Sequence, residues 1–598
     1  MSTRTKFDAV IIGSGAGGSP IAHELVRRGR SVLVLEKGPL LRAQGESPRG
    51  LSDFKRDELF ATGAEKRIQL EVANKGRSYY SSHVEPDLND EPHVYRTAQG
   101  TDEATIEGYT AQLVGGGTHL YGGVSLRFSE MDFRLRSFNE GRVGQLRDDP
   151  GDEVRREARD WPISYADLEP YYCKAERLVG INGTSQNQAK PFSADYYQKP
   201  LPPNSISRYV ERGMDSLGMA RYRTPLAVIT EPHEPSARNP AEARTAFVNR
   251  YGDPLGLKSN TWVSLLRPIS KLEELELRPN CHVTHLGCDS GGRVTRVHYR
   301  DPAGLERVVE GTVVVVACSA IESVRLLLLS AEEDGAFSRR IHASGLLGRY
   351  FLTHCFGGAE FKLDEQAEGR FDKSISLDSD WATDHCAREE FIRAQGLWAG
   401  GAIYNNTSDQ ALPLSLARTH GSADLDTVWD VFVNDPGLTG EALLGFLDEN
   451  FGTRLSVSYM ANQVPWRDNR IELHPSVRDK WGRKAAYILK QWHRHDHALM
   501  DVMARQCRAI LEASGAKYEE IEHGSATGWN RIANHILGGA RFGTDPADSV
   551  LDPQCRAWEF DNLYVTDGSF MPTSGGANPT LTIQANAFRV ADHLLTRF

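Results

Sequence analysis

One histidine near the C-terminus stands in surroundings that suit the oxidation of an alcohol. His535 lies a few residues before Gly538, Gly539 and Gly543 in the run NHILGGARFG. Because glycine leaves the backbone bare, an imidazole at this place can approach a flat ring closely. A base beside bare backbone is what hydride abstraction from an alcohol requires, so His535 is a candidate general base.

A second candidate is an acidic residue at the end of a short β-rich run. In NLYVTDGSFMP the residues from Leu563 to Thr566 favour a strand, and Asp567 and Gly568 follow it directly. This order predicts a carboxylate that leaves the strand end beside a turn residue. Such an acid can accept a hydrogen bond from a sugar or ribityl hydroxyl.

A third motif, SGGANPTLTIQANAFRVADHLL, places an amide just before a helix. Asn578, Pro579 and Thr580 precede an apolar-periodic stretch from about Leu581 to Leu595, which predicts a helix. The free N–H groups and the dipole at the N-terminus of that helix suit an anionic ligand.

The N-terminus has the pattern of a dinucleotide-binding unit. A buried-type strand from Phe7 to Ile12 leads into GSGAGGSPIAHELVRRG and then SVLVLEKG, which predicts strand, helix and strand. Three of its glycines allow, in order, the tight turn, the close approach of the backbone to a pyrophosphate and the packing of the helix on the strand. An acidic residue at the end of the second strand can accept a hydrogen bond from a ribose hydroxyl. These residues are Gly13, Gly15, Gly18 and Glu36. By itself the unit does not distinguish FAD from NAD.

A second glycine cluster follows in VGGGTHLYGGVSLRF. Gly115, Gly116 and Gly117 stand together, and Thr118 and His119 come next. So much glycine in a short segment indicates a backbone that is pressed against another group.

These motifs together resemble the glucose-methanol-choline (GMC) flavoprotein oxidoreductases, in particular the bacterial branch near gluconate dehydrogenase, pyranose oxidase and cholesterol oxidase. The resemblance extends over nearly the whole chain and is specific at both ends. It implies that the cofactor is FAD and that His535 is the catalytic base. It also implies that Asn578 is the partner of His535, at a position where some members carry a second histidine.

The resemblance also assigns the cofactor contacts. The glycine loop with Thr118 and His119 is expected to lie against the flavin ring. Pyranose oxidase attaches its FAD through a histidine of this loop, but here Leu120 falls at the linking position, so we expect His119 to line the site without a covalent bond. At Tyr121 the chain departs from cholesterol oxidase, which has an asparagine. The remaining expected FAD contacts are Gly13, Gly15, Gly18, Glu36, Gly115, Gly116, Gly117, Val283 beside the adenosine, Ala317 near the pyrophosphate, Asp567, Gly568, Asn578, Pro579 and Thr580.

The expected fold class is α/β: a Rossmann-like FAD-binding domain interleaved with a substrate domain built on an antiparallel sheet, the GMC fold. We predict that residues 1–183, 255–345 and 485–598 form the FAD-binding domain, and that residues 184–254 and 346–484 form the substrate domain and the loops over the pocket. Residues 184–243 show little periodicity and are predicted to be loops. The alternating runs CFGGAEFKL, TVWDVFVND, RLSVSYMAN and NRIELHP predict the antiparallel sheet.

Two other clusters of side chains offer weaker hypotheses. Aromatic residues in the predicted sheet can stack on sugar rings, although most residues of this type at such positions belong to an ordinary core; they are Trp381, Trp398, Tyr404, Trp429, Tyr459 and Trp466. The run HRHDH at 493–497 contains common metal ligands. Its place at the beginning of a predicted helix, from Ala498 to Leu511, directs alternate residues to different faces, so we predict no metal site.

Size and charge exclude several classes of function. The chain has 598 residues and a net charge of −11, with 69 Lys and Arg against 80 Asp and Glu. Without a basic tract, nucleic acid is not an expected partner. The longest apolar runs, such as VVVVACSAI at 313–321, are shorter than the roughly 18 residues of a membrane helix, so no span is expected.

Eight cysteines lie scattered without a C-x-x-C pair, which favours neither a zinc site nor a disulfide framework. The chain also enters its first strand with no room for a secretory signal. We therefore expect a cytoplasmic protein with reduced cysteines.

The mechanism implied is that His535 removes the hydroxyl proton while the carbinol hydride passes to flavin N5, and Asn578 orients the hydroxyl and stabilises the developing oxyanion. A sugar, glycoside or polyol is the favoured substrate. The alternatives are oxidation of a steroid or simple alcohol, or the redox-neutral chemistry of an FAD-containing lyase or decarboxylase. The electron acceptor stays open between oxygen, a quinone and a redox protein.

Overall fold

The structure is a computed structural model that describes residues 4–42, 73–74, 91–105, 108, 111–142, 153–240, 256–364, 379–407, 439–450, 453–521 and 535–598. Its strands are β1 Lys6–Ile12, β2 Val32–Leu35, β3 Ala73–Asn74, β4 His93–Arg96, β5 Asp102–Thr105, β6 Tyr222–Arg223, β7 Leu275–Arg278, β8 His282–Cys288, β9 Val294–Arg300, β10 Glu306–Val316, β11 Phe351–Leu352, β12 Cys355–Leu363, β13 Trp381–Thr383, β14 Gly401–Asn406, β15 Arg454–Ala461, β16 Arg470–Arg478, β17 Lys484–Leu489, β18 Tyr518–Ile521, β19 Leu537–Gly538 and β20 Leu563–Val565. Its α-helices are α1 Ser19–Arg27, α2 Leu135–Asn139, α3 Glu153–Glu157, α4 Tyr165–Val179, α5 Arg208–Ser216, α6 Ala320–Glu333, α7 Gly335–Ile341, α8 Glu389–Ala394, α9 Gly440–Asn450, α10 Arg494–Ala513 and α11 Thr580–Leu595.

The first sheet confirms the predicted dinucleotide-binding unit. Its strand order is β7-β2-β1-β10-β9-β8, with β20 paired to β10. The pairs among β7, β2, β1, β10 and β20 are parallel, whereas β10 pairs with β9 in the antiparallel sense through its first residues. The register sets Ile12, Leu35, Val316 and Val565 side by side. The residues that follow these four strands therefore meet at one edge of the sheet, where α/β proteins bind their ligands.

A second sheet is antiparallel throughout, in the order β18-β12-β15-β14-β13-β6. It confirms the prediction for CFGGAEFKL and RLSVSYMAN, while TVWDVFVND lies outside the described residues. The expected α/β class with an antiparallel second sheet is thus observed. Helix α10 packs on β12 and β15 of this sheet, and its residues Leu499 and Met503 belong to the hydrophobic cluster formed there.

The prediction for NRIELHP was wrong. Strand β16 belongs to a third sheet, in the order β16-β17-β4-β5-β3, in which it pairs with β17 across the turn at Asp479. Alternation of apolar and polar residues shows that a strand has two faces, but it does not identify the neighbour that the strand will join.

The prediction of loops for residues 184–243 was wrong in part, because α5 lies inside that stretch. Tyr209, Val210, Gly213 and Met214 of α5 are buried. A Cβ on Gly213 would lie 1.9 Å from the carbonyl oxygen of Ile510, so α5 packs closely on α10. Its apolar face is only one turn and a half long, too short for a periodic signal to stand out.

A short pairing of β11 with β19 joins distant parts of the chain close to His535. The strands are antiparallel, with Phe351 opposite Gly538 and Leu352 opposite Leu537. Both C-terminal predictions were confirmed nearby, since β20 and α11 occupy the expected stretches and α11 packs on α1 and α4.

The two weaker clusters have structural roles in the described part of the chain. Trp398, Tyr404 and Tyr459 are buried, Trp381 and Trp466 are half-buried, and Trp429 lies outside the described residues. His493 caps α10: its Nδ1 accepts from the backbone N–H of His495, and its own N–H donates to Asp496. Among the described helices, none has both the length and the apolar character of a membrane span.

Candidate active site

The turn after β1 is formed as the glycine pattern predicts. Gly13 has φ +98°, and a Cβ on it would lie 2.3 Å from the carbonyl oxygen of Ala317. A Cβ on Gly18 would lie 2.1 Å from the carbonyl oxygen of Gly13, so the first turn of α1 also needs a bare backbone there. The turn, the beginning of α1 and Ala317 are therefore in direct contact at the edge of the first sheet.

Glu36 ends β2 at the same edge and is fully engaged with backbone and hydroxyl donors. Its Oε2 accepts from the backbone N–H (3.0 Å) and the hydroxyl (2.7 Å) of Ser14, and its Oε1 accepts from the N–H of Gly38 (3.0 Å). Burial raises the pKa of this carboxyl, and the donors from Gly38 and Ser14 oppose the effect.

The second glycine cluster folds onto the first. The N–H of Gly115 donates to the hydroxyl oxygen of Ser14 at 2.9 Å. The Thr118 hydroxyl donates to the carbonyl of Gly115 at 2.6 Å, and the Thr261 hydroxyl donates to the carbonyl of Ser14 at 3.0 Å. These bonds join both glycine motifs and a third segment into one cradle.

The cradle leaves a strip of bare backbone open among buried elements. Gly13, Gly15, Ala16, Gly116 and Gly117 are half-buried, although β1, β2 and the end of β10 beside them are buried. Five small residues in contact across two loops provide room for a flat or extended group and many backbone N–H donors. The arrangement fits the pyrophosphate and ring of a dinucleotide.

His119 is turned into its own loop. Its Nε2 contacts the carbonyl oxygen of Val114 at 2.8 Å, and its ring covers Gly115, where a Cβ would lie 2.7 Å from Nε2. Burial, with a smaller effect from Lys258, lowers the pKa of His119 to about 3, so the ring is neutral. Leu120 and Tyr121 are half-buried beside it.

Asp567 and Gly568 lie where β20 ends. Asp567 caps the turn that follows, accepting from the N–H (2.9 Å) and hydroxyl (2.6 Å) of Ser569, and its other oxygen accepts from the Ser323 hydroxyl. Burial raises the pKa of this carboxyl. A Cβ on Gly568 would lie 2.8 Å from the carbonyl oxygen of Ile536, which brings this turn against the segment that carries His535.

The loop from Ser574 to Ala577 holds Asn578 at the beginning of α11. Gly576 donates to Asp132 at 3.1 Å and accepts from the N–H of Ala402 at 2.8 Å, so the loop is tied to the second sheet. Asn578 is 8% exposed, and its Oδ1 has no hydrogen-bond partner within the described part of the chain. A buried amide oxygen without a partner is typical of a place where a ligand or a water binds.

His535 is half-buried, two residues before β19. Its Nδ1 is 3.3 Å from the sulfur of Met460 on β15. Its ring meets the ring of His354 edge-on, with the centroids 5.1 Å apart and the planes at 83°.

The structure thus brings together residues from both ends and the middle of the chain. Gly13, Glu36, Ala317 and Asp567 meet at one sheet edge, and the loop of Gly115, Gly116, Gly117, Thr118 and His119 is bonded to it. Gly568 lies against the segment that carries His535, and Asn578, Pro579 and Thr580 form the beginning of α11. Val283 is buried on β8, the far strand of the same sheet.

Several residues around the site were not predicted. Ser14 was recognisable in principle, because it stands inside the first glycine motif. His354, Met460, Asp132 and Thr261 carry no local signal, since each reaches the site only through strand pairing or a long-range hydrogen bond.

Family models match three segments of the chain. The model described as GMC oxidoreductase matches residues 229–354 in its N-terminal form and residues 465–587 in its C-terminal form. A model of the NAD(P)-binding Rossmann-like domain matches residues 11–54. Together these segments contain His354, His535, Asn578 and the first glycine motif.

Similar proteins extend over almost the whole chain. The 6'''-hydroxyparomomycin C oxidase of Streptomyces lividus is 29% identical over 98% of this chain and 92% of its own. The 2-methyl-1,2-propanediol dehydrogenase of Mycolicibacterium austroafricanum is 26% identical over 99% and 95%. A solved variant of formate oxidase from Aspergillus oryzae RIB40, studied for its effect on FAD modification, shares the fold, with a TM-score of 0.60, 13% identity and coverage of 100% and 99%.

Proposed function

The chain belongs to the GMC oxidoreductases and its cofactor is FAD, and on this basis we propose that it oxidises a CH–OH group to a carbonyl with His535 as the base. The observation that carries the proposal is the place of His535 and Asn578. The ring of His535 contacts that of His354, which lies near the loop leading into Asn578, and the residue after His535 lies against the turn of Asp567 and Gly568. When bound, FAD supplies the acceptor for the hydride.

The tautomer of His535 follows from its neighbour. Nδ1 faces a thioether sulfur, which is only a weak acceptor and never a donor. We infer that Nδ1 carries the hydrogen and that Nε2 presents the lone pair. Nε2 is then the atom that takes the proton of the substrate hydroxyl.

Asn578 is proposed to orient that hydroxyl. Its Oδ1 lacks a partner in the described residues and can accept a hydrogen bond, while an amide nitrogen can donate to an oxygen on which negative charge develops. The backbone on either side is held by Asp132, Ala402 and α11, so the amide does not have to be ordered when the substrate arrives.

The proposed FAD contacts follow the cradle. The backbone that approaches FAD closely is proposed to be that of Gly13, Gly15, Gly18, Gly115, Gly116, Gly117 and Ala317, with Thr118 and His119 holding the second glycine loop in place. The adenosine end of FAD is proposed to contact Glu36 and Val283. The flavin end is proposed to contact Asp567, Gly568, Asn578, Pro579 and Thr580. Glu36 would exchange part of its bonding to Ser14 for a ribose hydroxyl. The division into a discontinuous FAD-binding domain and a substrate domain stays part of this proposal.

A sugar, glycoside or polyol is the proposed substrate class. The oxidase of Streptomyces lividus, named for a sugar-containing substrate, supports it by its similarity over nearly the full length. The dehydrogenase named for 2-methyl-1,2-propanediol favours the second candidate, a simple alcohol. Oxygen, a quinone and a redox protein remain alternative acceptors, and the cytoplasmic location stays a prediction.

The test is anaerobic reduction of the bound flavin, followed by its visible absorption, with a panel of sugars, glycosides, polyols and simple alcohols. Bleaching by one class identifies the substrate, and admission of air then separates an oxidase from a dehydrogenase. His535→Ala should keep the flavin spectrum and slow bleaching by about a hundredfold or more. A flavin that no alcohol bleaches would favour the redox-neutral lyase or decarboxylase instead.

A further inference from the structure

His354 lies two residues after the end of β11, and His535 lies two residues before the beginning of β19. Phe351 pairs with Gly538 and Leu352 with Leu537. When the same antiparallel register is continued past the ends of β11 and β19, position 354 falls opposite position 535. The observed ring contact, 5.1 Å between centroids at 83°, agrees with this placement. The pairing of β11 with β19 therefore brings the backbone of the two histidines close together.

His354 is a buried polar side chain that the proposed mechanism does not use. It is 1% exposed, and neither Nδ1 nor Nε2 has a hydrogen-bond partner within the described residues. Burial, and then the neighbouring charge of His535, hold its pKa well below the usual range. The carbonyl groups of Ser574, Gly575 and Ala577 act in the opposite direction without reaching hydrogen-bond geometry. The ring therefore stays neutral beside the base.

The same ring also lies near the loop that leads to Asn578. Ser574, Gly575 and Ala577, which act on the His354 ring, form the loop that leads directly into Asn578. His354 is therefore close both to the ring of His535 and to the loop that leads into Asn578.

Met460, a second neighbour of His535, is less able to fix the orientation of the imidazole. Met460 contacts Nδ1 through a flexible, unbranched side chain, and methionine adapts to its surroundings. His354 lies between β11 and β12, so the pairings of β11 with β19 and of β12 with β15 hold the backbone on both sides of it, and its side chain is buried.

We propose that His354 is a positioning residue: its ring sets the orientation of the His535 imidazole and the spacing between His535 and Asn578. This inference rests on the proposed function, because it gives His354 a role only if His535 is the base. A catalytic geometry that is wrong by an ångström can cost about a hundredfold in rate, so the position of this ring should be visible in the chemical step.

The test compares three replacements of His354 in the holoenzyme. His354→Phe keeps a planar ring, His354→Asn keeps a polar group without the ring, and His354→Ala keeps neither. At saturating substrate, we expect flavin reduction to slow about tenfold or more in the Ala and Asn variants, with KM changed by less than about threefold. The Phe variant should recover to within about threefold of the parent protein.

A second readout needs no turnover. Diethyl pyrocarbonate modifies neutral imidazoles, and mass spectrometry gives the rate of modification of His535 itself. That rate should rise in His354→Ala, where the ring is released, and remain at the parent value in His354→Phe. Tyr564→Phe is the matched control, since it also removes a buried polar atom without a described partner, on β20 of the first sheet; it should change neither readout.

The possible failures are distinct. If His535→Ala reduces its flavin as fast as the parent protein, the proposed function fails, whatever the His354 variants do. If His535→Ala is slow but His354→Ala reduces within twofold of the parent, His535 remains the base and only the positioning role is wrong. A parent-like rate of flavin reduction in His354→Asn but not in His354→Phe would also overturn the positioning role. The polarity of the side chain, and not the shape of its ring, would then control the rate.

Discussion

Gly15 and Gly116 lie against each other with no side chain between them: a Cβ on Gly116 would lie 3.1 Å from the Cα of Gly15. This contact joins the turn after β1 to the second glycine cluster. It explains why two motifs far apart in sequence are both rich in glycine, since a methyl group on either side would widen the cradle.

Replacing Gly116 by alanine should weaken FAD binding. The residue has φ +57°, and the added methyl would press on Gly15. We expect FAD to bind about tenfold more weakly, equivalent to about 1.4 kcal/mol, in titrations of apoprotein with FAD. Gly218→Ala is the control, because Gly218 has φ +66° but nothing within 4 Å of its Cβ position. Equal FAD affinity in both variants would rule out the close-contact explanation.

Replacing Asn578 by alanine should slow flavin reduction with little loss of bound flavin. The amide oxygen has no partner in the described residues, so its removal leaves no protein group unsatisfied. Loss of a donor that stabilises developing charge costs about a hundredfold in rate, measured by anaerobic stopped flow. Asn406→Ala, which removes a buried amide bonded to Ser458 at 2.8 Å, should affect stability more than reduction. If Asn406→Ala slowed flavin reduction more than Asn578→Ala did, Asn578 would have no part in the chemical step.

Replacing Ser319 by glycine should stabilise the protein. Ser319 precedes α6 with φ 74° and ψ 150°, a conformation that is essentially reserved for glycine. Relief of this strain should raise the free energy of unfolding by about 1 kcal/mol, reduced by the greater entropy of the unfolded chain. Denaturant unfolding of the holoenzyme measures it. Asn280→Gly is the comparison, because asparagine tolerates its φ of 55° better and should gain less.

The ion pair of Glu169 with the buried Arg127, 3.0 Å between Oε1 and Nη1, should make stability fall in acid. Burial alone would raise the pKa of Glu169, but donors from Ser193, Cys173 and Arg127 outweigh it and lower the pKa to about 2. A carboxyl with a lowered pKa stabilises the fold above its unfolded value of about 4.5 and loses that contribution as the pH falls towards 2. Melting temperatures should therefore drop less steeply between about pH 5 and pH 3 in Glu169→Gln. The exposed Glu273→Gln should leave the slope unchanged.

The local elements were accessible from the sequence. The strand of Phe7–Ile12, the helix after Gly18 and the C-terminal helix after Asn578 were predicted and observed, because hydrophobic periodicity and glycine spacing act over a few neighbouring residues. The family, the FAD cofactor and the oxidoreductase class followed from motifs of the same kind. The individual site residues remain predictions that the geometry supports.

What the sequence by itself determined was therefore the identity of the pieces: a dinucleotide unit, a base, an amide and the glycines between them. Only the tertiary structure decided which residues surround that base. His354 and Met460 reach His535 through the pairing of β11 with β19 and through β15, and NRIELHP joined β17 and not β12. The physical reason is that side-chain alternation specifies the faces of a strand, whereas its partner is chosen by the packing of the whole chain.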